Sequence, residues 1–208
     1  MAANNAMEKE IIERCQAGDL DSFDYLYNTY AEKVYQLAYR YFNSPDDASD
    51  IVQETFIRIY KSISGYRGDA QFSTWVYRIA TNLCYDELRR RKKRQEDSFD
   101  ADIETEKGSI AREIVDDGPS PHEKAESAER IRYLMEKLSF LPKEQRASVI
   151  LRDIHGYSYQ EIAEIQNCSL GTVKSRISRG RCAIKEMLSG EWELFTGIIG
   201  QNEGRGDE

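Results

Sequence analysis

Ser169-Leu-Gly-Thr-Val-Lys-Ser-Arg-Ile-Ser-Arg-Gly-Arg181 decides how this chain is read. Leu170, Val173 and Ile177, continued by Ile184 and Leu188, recur at helical spacing and bury together as one apolar seam. Lys174, Ser175, Arg176, Ser178, Arg179 and Arg181 fall largely outside that seam. Upstream, Ser158-Tyr-Gln-Glu161 has the form of a capping box, with Ser158 as the cap and Glu161 reaching back. It opens a short helix carrying Ile162, Ala163 and Ile165. Gln166-Asn167-Cys168 makes a turn, and Ser169 caps the second helix. A short helix, a tight turn and a helix bearing cations and hydroxyls form the layout that places a second helix in the DNA major groove. An ordinary helical hairpin with a solvated cationic face is the other reading of the same residues.

The chain has 208 residues, enough for one or two domains with a core in each. It holds no run of about twenty apolar residues, the length a membrane span requires. Its first residues, Met1 to Glu10, lack the apolar stretch of a secretory signal, so the expected compartment is the cytoplasm. Four cysteines (Cys15, Cys84, Cys168 and Cys182) are scattered without a C-x-x-C pair, and two histidines add little. Metal sites need clustered ligands, so no metal and no other cofactor is expected, and the thiols read as reduced and mostly buried.

A net charge of -8 looks wrong for a nucleic-acid binder until it is divided along the chain. Residues 58–94 hold ten Lys/Arg against three Asp/Glu, a balance of +7. Residues 95–129 hold three against twelve, a balance of -9. Residues 170–185 hold five cations and no acid. The basic blocks are what attract a phosphate backbone, and the average conceals them.

Residues 8–43 read as helical, broken at Gly18-Asp19 and then periodic through Phe23, Leu26, Tyr27, Tyr30, Val34, Leu37, Ala38 and Tyr41. Pro45 near a helix start, with acids after it, begins a helix to about Ile63 that buries Ile51, Val52, Phe56, Ile59 and Tyr60. Ser64 to Gly68 is a loop, and another helix runs from about Ser73 into Arg89-Arg-Arg-Lys-Lys-Arg94. Residues 95–129 are acidic, poor in large apolar side chains and interrupted by Gly118-Pro-Ser-Pro121, the composition of a flexible linker. Ile131, Leu134, Met135, Leu138 and Leu141 are spaced for a further helix, and Pro142 begins the next, through Val149, Ile150 and Leu151. The tail from Ser189 sets Trp192, Leu194, Phe195, Ile198 and Ile199 between glycines, and nothing in its pattern assigns it a role. No strand pattern is convincing, so the expected fold is all-α: a helical domain over 1–94, a linker over 95–129, a second helical domain over 130–188 and a tail over 189–208.

Two further helices carry candidate chemistry. From Phe72 to Tyr85, Phe72, Trp75, Val76, Ile79 and Leu83 form an apolar stripe, and Thr74, Tyr77, Arg78, Thr81, Asn82 and Tyr85 face away from it. Rings, amides and cations on one face suit unstacked bases, and the preceding loop with Tyr66, Arg67 and Asp69 is placed to wall off a pocket for an extruded base. A solvated polar face with Tyr77 and Tyr85 half-buried is the alternative. Asp46, Asp50 and Glu54 line up on one helix face but spread along about 12 Å of it, too far apart for one Mg²⁺, with no base or nucleophile beside them. That face reads as solvated or as a partner surface with Ile57 as an apolar anchor; a metal-dependent nuclease and a free-standing helix-turn-helix repressor are the rival functions.

Together these pieces resemble a bacterial sigma factor of the extracytoplasmic-function (ECF) class. Asp46-Asp-Ala-Ser-Asp-Ile-Val-Gln-Glu-Thr-Phe56, Tyr66-Arg-Gly-Asp69 and Phe72-Ser-Thr-Trp-Val-Tyr-Arg-Ile-Ala-Thr-Asn82 are similar to that family's region 2. Leu141-Pro-x-x-x-Arg146, Tyr157-Ser-Tyr-Gln-Glu-Ile-Ala163 and Gly171-Thr-Val-Lys-Ser-Arg176 are similar to its region 4. The resemblance covers roughly residues 8–94 and 130–188 and leaves out the linker and the tail.

The resemblance implies a transcription initiation factor, not an enzyme, with core RNA polymerase and promoter DNA as partners. It places Asp50, Gln53, Glu54, Ile57 and Arg58 on the β′ clamp helices and region 4 against the β flap. Tyr66, Arg67, Asp69, Thr74, Tyr77, Arg78, Thr81, Asn82 and Tyr85 fall to the melted −10 strand. Arg89, Arg90, Arg91, Lys92, Lys93 and Arg94 fall to duplex phosphates near the upstream edge of the melted segment. The −35 duplex is assigned Ser169, Thr172, Lys174, Ser175, Arg176, Ser178, Arg179 and Arg181. An anti-sigma factor, often membrane-bound, is implied as regulator, with no insertion of this chain into a membrane. Against housekeeping sigma factors, a region-3 domain and a long N-terminal extension are missing. The linker of about 35 residues extends to roughly 115 Å and as a free coil spans roughly 30–35 Å, enough to join two DNA elements more than a helical turn apart.

Overall fold

A computed structural model of the chain describes residues 2–97 and 133–188, and all regular structure among them is helical. Helix α1 spans Ala2–Gln16. It stops at Gly18, whose φ of 92° leaves right-handed space. Asp19 then caps α2, Leu20–Phe42, accepting from the Asp21 amide at 3.2 Å and the Ser22 hydroxyl at 2.7 Å. The Ser22 hydrogen bond first, with Arg14 2.6 Å away, holds the Asp19 carboxyl below its ordinary range.

The α2–α3 corner is made by two consecutive caps. Asn43 ends α2 in the left-handed region (φ 50°), where its short amide side chain is tolerated, and Ser44 begins α3, Pro45–Ser62, by accepting from the Asp47 amide. Pro45 sits where its missing N–H costs nothing. The tight corner lays α3 along α2. Leu26, Tyr30, Val34, Leu37, Ala38 and Tyr41 are buried on α2, and Ala48, Ile51, Val52, Phe56 and Ile59 on α3. The Phe56 ring meets the edges of Phe23 and Tyr27. Tyr60 does not join this core as expected; it is 56% exposed, with its ring against Phe23. A 3₁₀ turn at Ile63–Gly65 leads to α4, Phe72–Asp97, which runs three residues into the expected linker. Phe72 packs on Tyr30 and Tyr85 on Tyr41.

The helices that precede α8 in the second half are short. A helical stretch over 133–139 (α5) buries Met135 and Leu138. Arg146, itself buried, turns its guanidinium back to donate to the carbonyls of Ser139 and Leu141, so the turn before α6 is closed by a side chain. Helix α6, Lys143–Val149, starts after Pro142 as its sequence requires and continues into a π-helical turn, Ile150–Ile154, whose signature is the His155 amide on the Ile150 carbonyl. In α7, Tyr159–Gln166, both halves of the Ser158/Glu161 capping box are formed. Asn167, left-handed at φ 49°, ends it, and α8 covers Leu170–Leu188. Val173, Ile177, Ile184 and Leu188 are buried on α8, whereas Leu170 is 41% exposed at its first position and leaves the expected seam. Gly180 takes its place in the buried row: a Cβ there would lie 2.7 Å from Val149 Cγ2, so α8 approaches α6 where it has no side chain. Most of the expected linker, Ile131, and the tail from Ser189 with its apolar residues lie outside the described residues.

Candidate nucleic-acid interface

Helix α8 presents its charge as the sequence pattern requires. Lys174, Ser178 and Arg179 are exposed, Thr172, Ser175 and Arg176 are half-buried, and Glu186 is the first acid on the helix. Ser169 caps it, its Oγ accepting from the Thr172 amide at 3.1 Å and lying 2.8 Å from the Thr172 hydroxyl. The uncompensated amides of the first turn add positive potential to that end. Arg181 is engaged within the protein: its Nη2 lies 2.5 Å from Asp153 Oδ1 and its Nε 3.1 Å from Oδ2, a two-pronged ion pair. Cys182, which the sequence reading took as mostly buried, is exposed; its thiol donates to Glu186 at 3.4 Å, and that bond, with the carboxylate's charge, raises its pKa.

On α4 the burial pattern corrects the sequence reading. Thr74, Tyr77 and Thr81, expected on the open face, are buried at 1%, 2% and 0% exposure, while Trp75 and Ile79, expected in the core, are half-buried. The reason is that α4 is covered on more than one side: its buried residues, from Phe72 and Leu83 through Val76, Ala80, Cys84, Tyr77 and Thr81 to Thr74, span about 200° of helical rotation, wider than a single apolar stripe. Tyr77 fills core volume, and the Thr74 and Thr81 hydroxyls have no hydrogen-bond partner among the described residues. These three lie beneath the exposed surface of α4. Asn82 is exposed between buried neighbours, and Arg78 and Tyr85 are half-buried.

The loop before α4 is held from both ends. Gln16 on α1 donates to the carbonyls of Ile63 at 2.9 Å and Tyr66 at 2.8 Å, and the Tyr66 hydroxyl donates to the Ala70 carbonyl at 2.6 Å. Gly68 at φ 78° lets the chain reverse between them. Burial first, then the nearby Glu8 and Asp69 carboxylates, raise the Tyr66 pKa, so the hydroxyl stays a donor. Between α1 and this loop lies an open groove of about 610 Å³, lined among others by Glu8, Ile12, Gln16, Tyr66, Asp69 and Phe72. Arg67 and Asp69 are exposed at its edge. The half-buried Trp75 lies with its ring centre 5.2 Å from that of Tyr66, tilted by 44°, an aromatic side chain beside the loop that sequence reasoning assigned to the core. Its position next to the loop, rather than its hydrophobicity, was the available signal.

The basic run continues α4. Arg89, Arg90, Lys92, Lys93 and Arg94 are exposed and Arg91 half-buried. Six consecutive helical residues pass through about 500° of rotation, so the run girdles the helix instead of forming one stripe. On α3, Asp50, Gln53, Ile57 and Arg58 are exposed and Glu54 half-buried on one outward face, with Arg58 Nε 3.0 Å from Glu54 Oε1. Gln53 and Val52 line a second open groove, about 310 Å³, with Tyr27, Ala31 and Tyr35 of α2. No group of three or more His, Cys, Asp or Glu among the described residues is gathered to hold a metal, and no helix of those residues is long and apolar enough to cross a membrane.

Residues 26–94 match the Sigma-70 region 2 family and residues 131–184 the Sigma-70 region 4 family. The ECF RNA polymerase sigma factor SigW of Bacillus subtilis is 39% identical over 183 residues, 88% of this chain and 97% of that protein. The ECF RNA polymerase sigma-E factor of Haemophilus influenzae is 36% identical over 189 residues, 89% of this chain and 97% of that protein. Among solved structures, the sigma factor RpoE of Bartonella quintana, crystallised with the anti-sigma factor NepR, superposes with a TM-score of 0.63 at 25% identity, covering 81% of this chain and 98% of that one. CnrH, in complex with the cytosolic domain of CnrY, shares the fold with a TM-score of 0.65 at 21% identity over 88% of this chain and 98% of its own. With both signature regions matched in order and relatives aligned over nearly their whole length, the chain belongs to the ECF class of RNA polymerase sigma factors.

Proposed function

We propose that this sigma factor divides promoter recognition between two helices, α8 reading the closed −35 duplex and α4 with its preceding loop holding the opened −10 strand. The observation that carries the reading is the outer face of α8. Lys174, Ser178 and Arg179 stand exposed on a helix with no acid before Glu186, behind a capped tight turn. Such a helix meets intact duplex, where each base pair shows a distinct donor and acceptor pattern in the major groove. Bases are read by faces and free edges only once unstacked, and Asn82, Arg78, Tyr85 and the Tyr66–Asp69 loop suit that state. Thr74, Tyr77 and Thr81 support this surface from below. The cations at 89–94 serve duplex phosphate, some on each side of the helix. The outward face of α3, from Asp50 to Arg58, serves as the docking surface for the polymerase β′ clamp helices, and region 4 meets the β flap.

The factor works by binding and supplies no catalytic group of its own. Its place is the cytoplasm with the polymerase. An anti-sigma factor controls it by covering the polymerase-facing surfaces; the complex of the Bartonella relative with NepR supports this. The test is run-off transcription with core enzyme, followed by start-site mapping and substitution of the −35 bases. Arg179→Ala is expected to weaken use of the −35 element by about 1–3 kcal/mol, the range of a side chain that reads a base. Unchanged transcription with unchanged −35 preference would remove Arg179 from the interface.

A further inference from the structure

Arg181 has the charge of a DNA ligand and the geometry of something else. Its guanidinium engages Asp153 through two prongs, at 2.5 and 3.1 Å, 28 residues away in sequence. Two parallel bonds fix both the distance and the plane of the fork, which a single contact does not. On α8, Arg181 lies about 70° of helical rotation from the centre of the row Val173, Ile177, Gly180 and Ile184, at the border of the buried side. At the neighbouring Gly180, α8 approaches α6 closely, within reach of Val149 and Gln145. A contact at glycine sets how near the helix lies but offers no side chain to resist its turning about its own axis. Asp153 projects from the π-helical turn that follows α6 and adds a directional polar restraint to the packing of Val173, Ile177, Ile184 and Leu188.

We propose that Asp153 and Arg181 form a clamp that fixes the roll of the recognition helix, making Arg181 a positioning residue rather than a DNA contact. The inference rests on the reading of α8 as the duplex-reading helix and adds what holds it in register. The lever is short but sufficient. With side-chain tips about 5–6 Å from the helix axis, a 10° roll moves them by about 1 Å. A shift of that size lengthens a hydrogen bond of about 2.9 Å beyond its useful range.

The experiment uses the full-length chain bound to core polymerase, on duplex promoter fragments whose −35 element is located by start-site mapping. Asp153→Asn, Arg181→Gln, Arg181→Lys and the Asp153→Asn/Arg181→Gln pair are compared by two readouts. One is the ratio of transcription from the intact −35 element to that from single-base −35 substitutions. The other is the salt dependence of promoter binding. The clamp requires each single change, including the charge-preserving Arg181→Lys, to cut the −35 ratio at least fivefold, with the paired variant no worse than either single and the salt slope unchanged. A direct phosphate contact gives the opposite pattern: Arg181→Lys keeps the wild-type ratio, and Arg181→Gln lowers the salt slope by about one. That outcome overturns the clamp, as does a wild-type ratio in all variants. A wild-type protein indifferent to −35 bases overturns the reading of α8 itself, so the two failures are told apart.

Discussion

Gly180 is chosen by proximity. Its missing side chain leaves room for Val149, a β-branched residue with few rotamers to retreat into, and a Cβ would sit 2.7 Å from its Cγ2. Gly180→Ala therefore adds overpacking of about 1–3 kcal/mol against a helix-propensity gain of about 1 kcal/mol. The net expectation is a loss of about 1 kcal/mol, read as faster hydrogen exchange of α8 amides. Combined with Val149→Ala, it should cost less than the two changes summed, because the shorter side chain vacates the clash. Asn82 is the other decisive residue. It is exposed between the buried Thr81 and Leu83, so Asn82→Ala removes an amide without disturbing packing. Polymerase binding should be unchanged and permanganate reactivity of the melted bases reduced; unaltered reactivity removes Asn82 from the strand-holding surface.

Among the elements, α7 shows how cheaply a short helix is specified. Eight residues are too few to be helical alone, and the reciprocal Ser158–Glu161 bonds satisfy two donors that its first turn would otherwise leave open. Ser158→Ala should destabilise α7 by about 1 kcal/mol, measured as a lower denaturant midpoint with an unchanged slope. Two caps were legible in the sequence because their signals are local: Ser158 with Glu161, and Ser169 ahead of α8, stand where the structure uses them, whereas Asp19 was read only as part of a break and Ser44 only as part of a turn. The apolar seams of α2 and α3 were legible because their buried residues keep to one side of each helix, whichever neighbours cover it. Helix α4 was not, because a helix buried on several sides erases the stripe that periodicity detects, and Thr74, Tyr77 and Thr81 then pass for surface residues. The Asp153–Arg181 pair and the Val149–Gly180 contact were invisible for a simpler reason. Each joins residues about 30 positions apart, and nothing local announces the partner.

For the molecule as a whole, charge and protons follow separate rules. A total of -8 coexists with a cationic α8 and a cationic end of α4 because the acids are gathered elsewhere along the chain. Affinity for DNA follows the local field, not the sum. Stability has its own pH limit. Cys84 is fully buried, and burial raises its thiol pKa far above the ordinary 9.0. Above that ordinary value the unfolded chain releases the proton and the folded chain keeps it, so the folded state binds more protons and stability falls as pH rises. The contribution is intact below about pH 9 and is lost above it, at up to about 1.4 kcal/mol per pH unit. Denaturant midpoints at about pH 8 and about pH 10 should draw together in Cys84→Ala relative to the wild type. The thirteen tyrosines ionise in both proteins and cancel in the difference.

The π-helical turn at Ile150–Ile154 carries an evolutionary corollary. Such a turn accommodates one residue more than a regular α-helix over the same stretch, so it is what a single inserted codon leaves behind when the flanking helix survives. Deleting one residue of the turn would restore the α-helix and reposition Asp153, which lies within it. Lineages that shed this residue should also have abandoned the acid–guanidinium partnership with position 181, and losing one half without the other should be uncommon.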